Sequence, residues 1–474
     1  MNPPQNYPPP GYPSANQFPP PNIPYGQYPY MTEDPEQIRA RWQLPRRTHP
    51  LSPLIKLAPL LIAIVLLLVP NINASNSTTS ASPGLTFLSL LSFFIAPLVI
   101  ALGGFITWRF RKFWIENGEL KISTIFISKD TKHVKLSRIQ AVDITEPLTA
   151  RLFSLAAVRI TVAGSSRSKI VLAYLRNDEA HDLRTALLLP SPGSDPMASI
   201  IAQMPEVPLI AIKGGELVGS TLSRIAPYFA LLTLIVIVVI ASTGVIEVFA
   251  FLPFSLFYVA VLASKQYTTW SNFKLGTVPG AFRLAHGLLT LNHETIMFNR
   301  IQAIRVEQPL VWRPFGWYRV KVNVAGLGDL KSQNMMQTVL FPVGSLSQAF
   351  AAIHAFLPEL DLENVDMIYP PSRAAWRAPW WSSATSVGSS PEAVVVRRGR
   401  IKRQIDIMRM EKVQSVRITC GPWERLLGIG SLALDSTPGP VKCIARWRDL
   451  SEARLLTEHV AIMARQARMQ KNAQ

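Results

Sequence analysis

Cysteine is almost absent: Cys420 and Cys443 are the only two in 474 residues, so no disulfide framework can staple the chain. No Cys-x-x-Cys or His-x₃-His spacing offers a zinc site, and the seven histidines are scattered, with His286 and His293 read as structural. Catalytic signatures are equally lacking. No Gly-x-x-x-x-Gly-Lys-Ser/Thr loop, His-Glu-x-x-His or Gly-x-Ser-x-Gly elbow occurs, and Gly428-Ile429-Gly430 lacks the third glycine of a dinucleotide fingerprint. The chain is therefore read as a non-enzyme without cofactor or metal. Acidic residues are the scarcer charge, 30 Asp+Glu against 48 Lys+Arg, leaving a net charge of +18 on a chain that is 48% hydrophobic. Apolar and basic together point to a membrane surface.

Charge is missing altogether from long stretches. Leu85 to Trp108 runs for 24 residues without one, which at about 1.5 Å per residue exceeds the bilayer's hydrocarbon thickness. Leu51 to Ile72 is apolar apart from Lys56, near enough to one end to snorkel. Ile225 to Ala263 is 39 residues long with one charge, Glu247, beside Ser242-Thr243-Gly244, a length that fits two helices and a turn. Four transmembrane helices in two hairpins are expected. A cleaved signal peptide is not, because the first apolar run starts after some fifty residues and lacks a small-x-small site. Arg39, Arg41, Arg46, Arg47 and Lys56 precede the first hairpin, and Arg109, Arg111 and Lys112 follow it, while residues 70–84 carry no charge. Lys213, Arg224, Lys265 and Lys274 flank the second hairpin in the same way. The positive-inside rule then places both termini and all large polar segments in the cytoplasm.

The first thirty residues hold eleven prolines and five tyrosines, so a disordered, partly polyproline II tail is expected over 1–50. Beyond it the chain repeats itself. From Arg138 it reads RIQAVDITEPLTARLFSLAAVRITVAG and from Arg300 RIQAIRVEQPLVWRPFGWYRVKVNVAG, identical at twelve of 27 positions. A diverged third copy begins at Lys412, KVQSVRITCGPWERLLGIGSLALDST. Each copy reads as a strand, a turn and a second strand. Val158, Ile160 and Val162, like Val320, Val322 and Val324, alternate with polar residues, which predicts half-buried strands. Hairpin stretches precede each copy at 113–122, 282–289 and 394–401, with glycine (Gly118, Gly287, Gly399) expected at one recurring turn. An amphipathic helix closes each, opened by Asn177, by Ser345, and by Asp449 or Ser451.

This order, with a helical hairpin before the first two copies, resembles the bacterial PH-like domain of the YdbS-like membrane proteins. The resemblance implies an α+β integral membrane protein in which PH-like units, antiparallel β-barrels with a C-terminal helix, occupy 109–190, 264–358 and 390–467. The transmembrane hairpins are 51–108 and 224–263, with linkers at 191–223 and 359–389 and a short tail from 468. It also implies a role in the bacterial envelope, as a scaffold or adaptor for protein partners at the plasma membrane.

In every copy the opening basic residue is followed thirteen positions later by arginine: Arg138 and Arg151, Arg300 and Arg313, Lys412 and Arg425. Either the second arginine closes the turn onto carbonyls, or the pairs form a cationic rim for anionic lipid headgroups. Arg397, Arg398, Arg400, Lys402 and Arg403 add a dense basic hairpin, for which a solvated surface and attraction to an anionic leaflet both serve. Nucleic acid is not expected, since no RRM-type or recognition-helix motif accompanies it. The opposing reading, an oligomeric transporter or channel, requires polar groups at mid-membrane depth, which these spans lack. The sequence leaves oligomeric state open.

Overall fold

In the computed structural model, residues 35–55, 98–99, 101–125, 129–162, 169–188, 207–243, 251–325, 339–362 and 364–473 are described. They fall into two units, 1–139 with 178–205, and 140–177 with 206–474. In the first, the helix α1 (Pro35–Ala40) leads to a three-stranded antiparallel sheet of β1 (Arg111–Glu116), β2 (Glu119–Ile125) and β3 (Lys129–Lys135). Asn117 and Gly118, both at positive φ, make the tight turn between β1 and β2. Trp42 is buried and stacks on Phe113, and Arg46 pairs with Phe113 through both backbone groups. The chain from Pro35 onward thus packs on the first sheet, which shortens the expected tail of 1–50; residues 1–34 lie outside the described residues. The helix α2 (Asn177–Leu188) belongs to the same unit, and its Asp182 meets Arg41 at 3.4 Å.

The second unit holds three sheets, two of which cross the boundaries between repeats. β4 (Ile139–Pro147), β5 (Leu155–Val162) and β6 (Lys169–Arg176), the second half of the first repeat, run directly into β7 (Val207–Ala211), β8 (Lys274–Val278), β9 (Ala281–His286) and β10 (Thr290–Met297), the first half of the second. The resulting sheet has the order β6-β5-β4-β10-β9-β8-β7. The junction recurs: β11 (Ile301–Pro309), β12 (Tyr318–Val324) and β13 (Val339–Gly344) join β14 (Thr385–Ser389), β15 (Ala393–Arg398) and β16 (Lys402–Arg409) in the order β13-β12-β11-β16-β15-β14. A last sheet, β17 (Ser415–Thr419), β18 (Ile429–Asp435) and β19 (Cys443–Asp449), completes the third repeat. Residues 191–223 and 359–389, expected as connecting segments, therefore supply β7 and β14.

Between β7 and β8 stand the helices α3 (Gly214–Thr243) and α4 (Phe251–Trp270), and each later repeat closes with a helix, α5 (Leu346–Phe356) or α6 (Leu450–Ala473). Ser345 caps α5 in a reciprocal capping box with Gln348. Asp449 caps α6, accepting from the backbone of Ser451 and Glu452. Pairings mark equivalent points in all three repeats: Arg46 with Phe113 and Ile368 with Val387 as isolated bridges, and Ile210 with Leu275 within the β7–β8 ladder. Past this pairing the second copy continues into its helical pair, and the third only into the stretch leading to β14.

Two expectations need correction. Strands β11 and β12 are buried on both faces rather than one, with Arg305, Glu307, Gln308, Arg319 and Asn323 all buried, because the segment 440–442 of the third repeat covers the second face, where Arg305 reaches the Pro440 carbonyl and Asn323 the Val441 backbone. The three glycines do not share a turn: Gly118 lies between the first two strands of its copy, whereas Gly287 and Gly399 lie between the second and third. Of the four expected membrane helices, one is long and apolar enough to cross among the described residues, Gly214–Ser242 in α3. Most of the first hairpin lies outside the described residues, although 101–110 are helical.

Candidate membrane-facing site

The first ten residues of α3 belong to the domain: Leu217, Ser220 and Thr221 are buried. From Tyr228 the helix changes character, and Tyr228, Leu231, Leu234, Ile235, Ile237 and Val238 are all at least half exposed. An apolar helix that turns its large side chains outward is built for hydrocarbon, not for a soluble core. α4 repeats this with exposed Leu256, Phe257 and Tyr258, and ends in buried Trp270.

Two turns of the sheets are fastened where these helices enter the domain. Between β9 and β10, the amides of Gly287 and Leu288 donate to Ser271 and Thr268 at the end of α4, at 2.7 and 2.8 Å, and His286 packs on Trp270. The neighbouring helical turn Leu148–Arg151 is tied in by the amide of Leu148, which donates to Leu289. This brings Leu148, Leu152, Phe153, Leu288 and Leu289 together as exposed apolar side chains, Leu152 at 75%. On the α3 side, the indole of Trp312 donates to Ser223 Oγ at 2.8 Å, one residue before Arg224, and Phe315 stacks on Trp317. Leu310, Val311 and Phe315 are exposed there, and Ile401 is exposed in the β15–β16 turn that Arg313 holds.

The third repeat lacks a helical pair, and in its place stands an aromatic segment. Trp376 and Trp380 are 86% and 74% exposed, Tyr369 and Trp381 are also exposed, and Arg400 donates to the Trp380 carbonyl at 3.5 Å. Trp423 and Leu426 project from the third copy of the same turn. Exposed tryptophan beside arginine is the composition of a membrane–water interface.

The sequence-derived basic residues divide into two groups. Arg300 donates to the Ala325 carbonyl at 2.7 Å, and burial lowers its pKa while Asp143 opposes the shift. Arg313 donates to the carbonyls of Arg400 and Ile401 in the next repeat's hairpin rather than to its own turn. Arg397 reaches the Leu362 carbonyl, Arg398 pairs with buried Asp406, Lys402 with Glu307, and Lys412 with Glu411. Each of these side chains has a partner within the protein. Arg138, Arg151, Arg400, Arg403 and Arg425 are exposed, and of these Arg151, Arg400 and Arg425 lie on or beside the apolar turns. The even spacing in sequence thus hides unequal roles.

Sequence reasoning missed the charges that lock the junction between β11 and β16. Arg305 grips Asp406 with two bonds and also reaches the Pro440 carbonyl. Burial opposes ionisation of Glu307, but Lys321 and Lys402 outweigh it and its pKa falls. Arg448, fully buried, donates to Ile368, Tyr369 and Glu452. Only an acid and a base on strands known to pair would have revealed these. Among the described residues, no group of three or more His, Cys, Asp or Glu is placed to hold a metal ion.

The family model described as "Bacterial PH domain" matches three times, over residues 56–189, 221–359 and 339–464. The chain belongs to the bacterial PH domain family. It is also similar to the UPF0699 transmembrane protein YdbT of Bacillus subtilis (strain 168), 22% identical over 356 residues, which is 68% of this chain and 71% of YdbT. The threefold match agrees with the three repeats read from sequence, and its bounds take in the helical pair as part of the repeat.

Proposed function

We propose that this is a non-catalytic membrane protein that fixes a row of PH-like domains against the cytoplasmic face of a bilayer, where exposed turns touch the lipid interface and the sheets and helices are left for protein partners. The observation that carries this is the attachment of the Gly287–Leu289 turn to Thr268 and Ser271 at the end of α4, and of Trp312 in the Leu310–Phe315 turn to Ser223 of α3, five residues before the exposed stretch that opens at Tyr228. Turns held at that level cannot be far from headgroups when the helices cross the bilayer. Their apolar tips enter the interfacial layer, and Arg151, Arg400 and Arg425 meet phosphates, at about 1 kcal/mol per basic residue near an anionic surface. The similarity to a protein named as transmembrane supports the same reading. On this reading the uncharged runs form two hairpins, the flanking Lys and Arg keep both termini in the cytoplasm, and the bilayer is the bacterial plasma membrane.

The test uses the full chain in vesicles, carrying a single fluorescent label at Leu152→Cys, Phe315→Cys or Trp380→Cys and, as control, at Glu458→Cys on α6. A quencher carried on lipid headgroups should dim the first three and spare the fourth, more strongly with anionic lipid. Equal quenching at all four, or none at any, would remove the lipid contact.

A further inference from the structure

In both internal junctions the first strand of one repeat's second half pairs antiparallel with the third strand of the next repeat's first half, β4 with β10 and β11 with β16. The two registers are identical once the repeats are aligned: Pro147 faces Thr290 as Pro309 faces Lys402. A chain of three such repeats leaves one half-junction at each end. β3 is the outer strand of the first sheet and β17 the outer strand of the last, with no further strand beside either among the described residues.

Exposure shows that β17 is cut for a neighbour it lacks. Its equivalents are enclosed, with Val142 to Glu146 in β4 buried and every residue of β11 buried up to Pro309. Along β17, Ser415, Arg417 and Thr419 are exposed and Val416 and Ile418 half-exposed. The strand keeps the alternating apolar face of a central strand at a sheet's edge, a position that invites strand addition.

We propose that β17 of one molecule pairs with β3 of a second copy, extending the internal junction from chain to chain. The cognate strand is present once per molecule, so the contact is heterologous, head to tail, and propagates as a ring or an open row. Carrying the register across the repeat sets Ser415 beside Val134, Val416 beside His133, Arg417 beside Lys132 and Ile418 beside Thr131. The one adverse rung is Arg417 with Lys132, and Asp435, 3.5 Å from Arg417, offsets it. Pairing rests on backbone bonds, which survive loss of lipid contact; its failure and that of the membrane-surface reading are separable.

The experiment crosslinks the full chain in detergent or nanodiscs, with Cys420→Ser as background. One tagged population carries Arg417→Cys, a second Lys132→Cys. Oxidation of the mixture should give a heterodimer at least tenfold above either population alone, and the shifted partner Thr131→Cys, whose side chain falls on the other sheet face, should give none. Unmodified protein should run as a multiple of the single-chain mass. No crosslink in the mixture, equal yield from the shifted pair, or a bond formed only within single chains carrying both cysteines would overturn the proposal, as would a strictly single-chain mass.

Discussion

Asp406 is the residue whose removal should most clearly separate the sheets of the second and third repeats. Its side chain is fully buried and holds two guanidinium groups, Arg305 and Arg398, whose side chains are 9% and 17% exposed. Arg305 is in β11 and Asp406 in β16, directly opposite in register, so the pair spans the junction. Replacing the acid by alanine leaves two desolvated cations facing each other, and removing one partner of a buried ion pair costs about 3–5 kcal/mol. That is a large share of the roughly 5–15 kcal/mol that holds an ordinary domain folded. Denaturant unfolding of the detergent-extracted chain should therefore show Asp406→Ala destabilised by about that amount. Amide exchange should show β16 losing protection before β12 does. Arg305→Met with Asp406→Leu should lose less than the two single changes added, with a coupling of about 1 kcal/mol or more, because replacing Arg305 removes the more buried of the two charges that loss of Asp406 strands. A loss under about 1 kcal/mol for Asp406→Ala, or strict additivity in the double variant, would refute the idea that this pair locks the junction.

Other consequences can be measured in the same preparation. Gly399 has φ of +92°, and a methyl group there would run into the Lys402 carbonyl, so Gly399→Ala should cost about 1–3 kcal/mol and perturb the β15–β16 hairpin in amide exchange. His286 is buried between Trp270 and Phe273 and donates from Nδ1 to Thr269 at 2.9 Å; burial lowers its pKa and the backbone bond opposes the shift. Its stabilising effect is therefore complete above the ordinary histidine range and fades as pH falls through about 6.5 and below, so His286→Gln should flatten the fall in melting temperature between pH 7 and 5. Burial, with Asp406 adding to it, pushes the Cys443 thiol up, so a maleimide should reach it only after unfolding. Trp42→Ala removes a stacked, buried ring from β1 and should cost about 3–5 kcal/mol in the first unit, read as loss of protection over Arg111–Glu116.

The repeat was legible because strand and turn impose spacing: Gln140, Gln302 and Gln414 share a position, and so do Arg151, Arg313 and Arg425. The closing helices were legible from their caps, Ser345 and Asp449 above all. The sheet partners were not. Period-2 alternation tells which residues share a face but carries no information on which strand lies alongside, so β4 and β11 could be read as edges of self-contained barrels. For the same reason Asn323, a polar residue of an alternating strand, was expected on a solvent-facing side. Asn323 in fact bonds the backbone of Val441 with both ends of its amide, a contact 118 residues away that no local pattern encodes. Of the candidate site, the arginines were found and the apolar turns beside them were not. Leu148, Leu152 and Leu289 are ordinary residues until the ends of α3 and α4 show what the turns stand next to.

The equivalent pairings of Arg46, Ile210 and Ile368 explain why those turns sit where they do. In the second repeat the helical pair is an insertion into a β-hairpin, entering after β7 and leaving into β8, and these two strands hold each other across the insertion. A helix entering three residues after one paired strand and leaving four residues before the other has little freedom to tilt against the sheet. The orientation of the helices therefore sets the orientation of the domain, and the β9–β10 turn is held beside the end of α4 as a matter of connectivity. The third repeat keeps the lead pairing, Ile368 with Val387, and replaces the insertion by the 18 residues 369–386, whose two arginines and three prolines are not the composition of an apolar span. Its exposed tryptophans stand at the point where the second repeat inserts α3 and α4. An insertion shortened to an interfacial segment would keep the same face of the third domain turned toward lipid while leaving its last sheet edge open at the end of the row.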